Sequence, residues 1–105
     1  MTRPMLRNAQ HLSMIKSFRH KGLHTFFESG NAKGIQPQHA NKLRMQLAAL
    51  DTAVHIDDMN LPGYQLHPLK GDRKGIWAIS VSGNWRLTFV FTDGNVYVLN
   101  YEDYH

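Results

Sequence analysis

The hydrophobic period changes from helical to alternating at Asn60–Gly63, and that change sets the fold class. Before it, apolar residues recur at helical spacing; after it, they alternate. Ala40, Leu43, Leu47 and Leu50 form an i, i+3, i+7, i+10 stripe in a helix expected from about Pro37 to Ala53, with Lys42, Arg44 and Gln46 pointing away. Pro37 suits the first turn, where its missing N–H costs nothing. A shorter helix is expected over Lys21–Glu28, with Leu23, Phe26 and Phe27 on one side and Ser29-Gly30 ending it. Met14-Ile15-Lys16-Ser17-Phe18, just upstream, reads as a short alternating strand.

From Tyr64 onward the chain reads as a meander. Strands are predicted over Tyr64–Leu66, Ile76–Val81, Trp85–Thr92 and Val96–Tyr101, with Ser82-Gly83-Asn84 and Asp93-Gly94 as the tight turns. Helices followed by antiparallel strands predict an α+β fold: a twisted antiparallel sheet with two or three helices packed on one face. Trp85, Leu87, Phe89 and Phe91 share one side of their strand and are assigned to the core. Arg86, Thr88 and Val90 take the other, so Arg86 points to the open face. Trp77, Trp85, Phe89 and Phe91 are read as core packing rather than a base-stacking platform.

The 105 residues suffice for one domain, assigned to 14–105. Residues 1–13 contain Pro4 and no periodicity, and are expected to form a flexible extension outside the fold. There is no cysteine, which excludes disulfide scaffolds, thiolate metal sites and cysteine nucleophiles. No apolar run approaches the roughly 20 residues that span a bilayer, and no export signal is recognisable, so a cytoplasmic protein without membrane partners is expected.

The net charge of +4 is unevenly spread. Residues 64–86 hold Lys70, Arg73, Lys74 and Arg86 against Asp72 alone. Residues 87–105 hold Asp93, Glu102 and Asp103 and no Lys or Arg. Such a basic stretch suits a polyanion, and the carboxylates beside it could orient other groups. The chain closes on Tyr101-Glu102-Asp103-Tyr104-His105. Together with the basic loop His67–Gly75, this tail supplies the parts of a ribonuclease that needs no metal. RNA cleavage by its own 2′-hydroxyl requires a proton acceptor, a proton donor for the leaving 5′ oxygen, and cations near the phosphate. Histidine titrates near neutrality, and Lys and Arg are the cations. His20 and His24, at i and i+4, could suggest zinc, but Gly22 separates them and no third ligand is spaced to join. His20 is expected to cap the short helix, and His24, His39 and His55 to lie at the surface. No metal or cofactor is expected.

Met14–Phe18, His67–Arg73, Gly83-Asn84-Trp85-Arg86-Leu87-Thr88-Phe89 and Asn100–His105, in that order, resemble the HigB branch of the RelE-type toxins. These are the killer proteins of type II toxin–antitoxin systems. The resemblance covers nearly all of 14–105. It implies a microbial-RNase-like fold and a ribosome-dependent endoribonuclease that cuts mRNA in the A site of the 70S ribosome. It also implies a HigA-type helix-turn-helix antitoxin, through which alone the toxin would meet operator DNA. The family's active site would fall on His67, Lys70, Arg86, Asp103, Tyr104 and His105. Lys70 and Arg86 would neutralise the phosphate. His105 would lead the acid/base chemistry with Tyr104 assisting, Asp103 orienting and His67 auxiliary. As the last residue, His105 would have its imidazolium form favoured by its own α-carboxylate. Arg73 and Lys74 would grip RNA backbone. Ser82-Gly83 stands where some relatives carry a further basic residue. The competing expectations are a non-catalytic RNA-binding module and an inactive toxin-like partner of an antitoxin.

Overall fold

Two tight turns order the second half of the chain, and the first half packs onto the sheet they create. The computed structural model describes residues 13–104. Its α+β architecture has helix α1 at Lys21–Ser29 and α2 at Ala40–Thr52, followed by β1 (His67–Pro68), β2 (Trp77–Ser82), β3 (Trp85–Thr92) and β4 (Asn95–Asp103). The four strands lie in sequence order, each antiparallel to the next. Asp93 and Gly94 both adopt positive φ, 52° and 79°, as a two-residue hairpin between right-twisted strands requires.

One face of the sheet is buried against both helices. Leu23 and Phe26 of α1 and Leu43, Leu47 and Leu50 of α2 share a core with Ile79, Val81, Leu87, Phe89, Val96, Leu99 and Tyr101. Gly30 caps α1 in the left-handed conformation, its N–H donating to the Phe26 carbonyl. Residues 14–19 run parallel to β4. Bridges pair Ile15 with Val96 and Phe18 with Leu99, so the segment predicted as a strand covers the sheet's far edge. Among the described residues no helix is long and apolar enough to cross a membrane.

A bulge in β4 sets what each face displays. Thr88 pairs with Asn100, but Val90 pairs with Tyr97, so Val98 and Leu99 together oppose Phe89. Val98 takes a φ of 49°, a strained value for a β-branched residue. The covering segment holds it there: Ser17 Oγ accepts from Val98 N–H at 2.8 Å, and the Ser17 carbonyl accepts from Leu99 N–H. The skip keeps Val96, Leu99 and Tyr101 in the core and turns Glu102 to the opposite face, directly across from Arg86.

Several expectations are corrected. Tyr64–Leu66 is not a strand; the pairing falls on His67–Pro68, because Ala78 and Trp77 are the partners available on β2. The Pro37–Ala53 helix begins with a 3-10 turn at Pro37–His39. Gln46 does not point away but is fully buried, and its Nε2 donates to the Ser80 carbonyl at 2.8 Å. His39 is 4% exposed rather than superficial, because the Tyr101 hydroxyl meets its Nδ1 at 2.6 Å. Ser13 belongs to the fold, donating to Asp51 at 2.8 Å; the rest of the 1–13 extension lies outside the described residues.

Phe89 is 1% exposed at the centre of this core. Phe89→Ala is expected to lower unfolding free energy by about 3–5 kcal/mol, read from urea denaturation. A loss below about 1 kcal/mol would show that β3 does not carry the core.

Candidate functional site

The open face of the sheet owes its shape to the turn between β1 and β2. Leu69 N–H donates to Ile76 O, and the 3-10 turn Gly71–Arg73 is closed by Lys74 N–H on Gly71 O. The loop is therefore a fixed structure. It carries Lys70 and Arg73 over the strand face that displays Arg86, Thr88 and Glu102, and Thr88 is fully buried. The face predicted to be open is thus partly roofed.

Two adjoining hollows lie at the edge of this roof. One, of about 350 Å³, is lined by His67, Lys70, Arg73, Arg86 and Tyr104. The other, of about 310 Å³, shares His67, Arg86 and Tyr104 and continues over Gly83, Asn84 and Trp85. Four of the six residues predicted as catalytic therefore meet around one depression. Asp103 lines neither hollow. It sits one step along β4 from Glu102, and its charge is felt by Tyr101, whose hydroxyl it helps to push up from its ordinary pKa, after burial. His105 lies outside the described residues. Lys74 is exposed and lines neither hollow.

Local geometry tunes each group. His67 Nδ1 stands 2.8 Å from the Gln65 carbonyl, which can only accept, so Nδ1 carries a hydrogen and Nε2 is the ring nitrogen left for exchange with a ligand. Gln65 presents that carbonyl from a left-handed conformation, φ 51°. Tyr104 N–H donates to Asn84 O at 2.7 Å, extending the β3–β4 pairing to the end of the described chain. Its ring covers the Arg86 guanidinium, 4.3 Å from Cζ, in a cation–π contact. Among the described residues, Arg86 Nε is buried and meets no hydrogen-bond partner.

Arg73, expected to grip RNA backbone, is engaged within the fold. Its two terminal nitrogens fork onto Glu102, NH1 to Oε1 at 2.9 Å and NH2 to Oε2. Thr88 Oγ1 also donates to Oε2, at 2.7 Å, and Arg86 NH2 lies 3.5 Å from Oε1. Arg73 above all, then Thr88 and Arg86, holds the Glu102 carboxyl down at about 2 against the cost of its burial. The sequence singles out Glu102 only as one of several carboxylates able to orient other groups, because alternation alone does not say which of Glu102 and Asp103 faces the cations. Away from this face, His20 Nδ1 accepts from Leu23 N–H as the expected helix cap, and His24 pairs with Glu28 at 3.1 Å.

Comparison with known proteins gives a consistent answer. Residues 16–105 match the family described as "RelE-like toxin of type II toxin-antitoxin system HigB". The "Endoribonuclease HigB" of Proteus vulgaris is 53% identical over 92 residues, 88% of this chain and 100% of that protein. "Toxin HigB-1" of Vibrio cholerae serotype O1 is 33% identical over 83 residues, 77% of this chain and 87% of that protein.

Acid should destabilise the fold in two steps. Burial lowers the pKa of His39 and His20 from 6.5, so the unfolded chain binds protons there that the folded one refuses, and stability falls as pH drops through about 6.5. Glu102 has a depressed folded pKa, so its contribution is complete above 4.5 and is lost as pH falls toward about 2. That second step is expected to be on the order of 2–3 kcal/mol. Urea unfolding from pH 7 to pH 2.5 measures both, and a flat profile below pH 4.5 would mean the carboxylate is not held as described.

Proposed function

The chain belongs to the RelE-like HigB toxins of type II toxin–antitoxin systems, and from that premise we propose that it cuts mRNA in the ribosomal A site by acid/base attack of the RNA 2′-hydroxyl without a metal. The coarser part follows from membership: an endoribonuclease toxin, restrained by an antitoxin partner. The observation that supports the finer part is the convergence of His67, Lys70, Arg86 and Tyr104 on adjoining hollows.

The chemistry needs few groups. A base removes the 2′-hydroxyl proton, and the 2′ oxygen attacks the adjacent phosphorus. An acid then protonates the departing 5′ oxygen, leaving a 2′,3′-cyclic phosphate and a 5′-hydroxyl. With Nδ1 committed to the Gln65 carbonyl, His67 Nε2 is the ring nitrogen that would exchange a proton with RNA. In this reading His105, following Tyr104, is the leading acid/base group, with Asp103 orienting it. Lys70 and Arg86 bracket the hollow and neutralise charge developing on the phosphoryl oxygens. Tyr104 offers its hydroxyl to the proton transfers and its ring to a base.

Much of the hold on ribosomal and messenger RNA would be phosphate contact, so docking should weaken steeply with salt. Dependence on the ribosome supplies the order that a shallow hollow lacks: the A site straightens and presents one phosphodiester, while the protein contributes cations and proton carriers. Action there requires the cytoplasm. Operator DNA is met only through the helix-turn-helix antitoxin.

Lys70→Ala and Arg86→Ala are each expected to slow cleavage on programmed ribosomes by roughly 100- to 1,000-fold while leaving circular dichroism unchanged. His105→Ala should abolish growth arrest in a bacterium without unfolding the chain. Equal cutting of naked RNA by the purified protein would contradict the ribosome-dependent reading, and unimpaired, folded Arg86→Ala would contradict the site.

A further inference from the structure

Glu102 is the point on which the open face converges, and none of the chemistry above uses it. Its side chain is 18% exposed. Both oxygens receive the Arg73 fork, Oε2 also accepts from Thr88 Oγ1 and from Asn100 Nδ2 at 3.3 Å, and Oε1 faces Arg86 NH2 at 3.5 Å. A carboxylate offers about four lone-pair sites, so this one has little freedom left to turn. Arg86 is held between it and the Tyr104 ring, with its side chain only 15% exposed.

We propose that Glu102 is a positioning residue for the cleavage reaction: anchored by Arg73 and Thr88, it fixes the Arg86 guanidinium toward the hollow where the scissile phosphate would sit. The inference rests on the reading that this hollow cuts RNA. An arginine in solvent samples many rotamers, and ordering it at the moment of reaction costs rate. A cation already fixed stabilises the transition state without reorganisation. The charge balance suits the task. Two guanidiniums against one carboxylate leave one positive charge over for a phosphate. Arg73 is then the anchor of the device and Arg86 its working end.

Their cross-strand placement makes the coupling direct. Arg86 and Glu102 are register partners on β3 and β4, so no flexible loop intervenes. A merely structural carboxylate would brace the roof loop against the sheet. Its loss would lower stability and leave the turnover of folded molecules alone.

The test compares full-length wild type, Glu102→Gln, Arg86→Ala and the double variant on programmed ribosomes. Single-turnover rate, kcat and KM are measured separately, with circular dichroism and thermal unfolding to confirm folding. Glu102→Gln keeps the side chain's size and an accepting oxygen but withdraws the charge. It is expected to lose roughly 10- to 100-fold in kcat with KM changed less than about twofold, and the double variant is expected to be no slower than Arg86→Ala alone. Glu102→Asp, which keeps the charge but retracts it by one methylene, should fall between wild type and Glu102→Gln and serves where the glutamine variant folds poorly. Wild-type kcat in either folded variant, or losses that multiply in the double variant, would overturn the inference. Arg86→Ala as active as wild type, or a wild-type chain that leaves programmed mRNA intact, would overturn the cleavage reading itself and this inference with it.

Discussion

One half-buried carboxylate joins the three pieces of chain that make the candidate site. Glu102 belongs to β4, its register partner Arg86 to β3, and its bidentate partner Arg73 to the loop between β1 and β2. Burying a charge is costly unless partners and hydrogen bonds replace water. Here two guanidiniums and two neutral donors do so, which is why the carboxyl stays ionised down to about pH 2. Without this cluster the basic loop would be only a loop lying near a sheet. With it, the loop that carries Lys70 is tied to the strands that carry Arg86 and Glu102, and His67, Lys70 and Arg86 line one hollow.

The last strand divides its work by simple alternation. Tyr101 points into the core, where its hydroxyl meets His39 and accepts from Gln36 N–H, and its ring packs on Trp85 at 4.5 Å. Glu102 points to the opposite face and organises the cations. Tyr104, tied to Asn84, returns to cover Arg86. Core and site are thus read from consecutive residues of one strand, and the bulge at Val98 sets the phase for both. A one-residue slip would exchange the buried tyrosine for the carboxylate.

Much of this was legible in the amino-acid order because it depends on local physics. Asp93-Gly94 makes a hairpin turn wherever it occurs between alternating runs, and the leucine stripe of α2 is periodic in itself. The first strand was misplaced by three residues because its position depends on which residues of β2 await partners. Gln46 and His39 were misread for a related reason: their partners, Ser80 and Tyr101, lie 34 and 62 residues away. Residue type and family likeness single out His67, Lys70, Arg86 and Tyr104 as candidates, and the fold places them around one hollow. That Glu102, 29 residues on, occupies the fork of Arg73 is a contact that nothing local reveals. The register Arg86–Glu102 would have revealed it, had the bulge been visible in the sequence.

In the proposed reaction the RNA strand's own 2′-hydroxyl attacks its phosphate, and the protein supplies only cations and proton carriers. The chemical identity of the new ends on ribosome-bound mRNA tests that most directly, by end-group analysis of the two fragments. A 5′-hydroxyl is expected on the downstream fragment and a 2′,3′-cyclic or 3′-phosphate on the upstream one. A 5′-phosphate opposite a 3′-hydroxyl would mean that water, not the 2′ oxygen, attacks, and would contradict it.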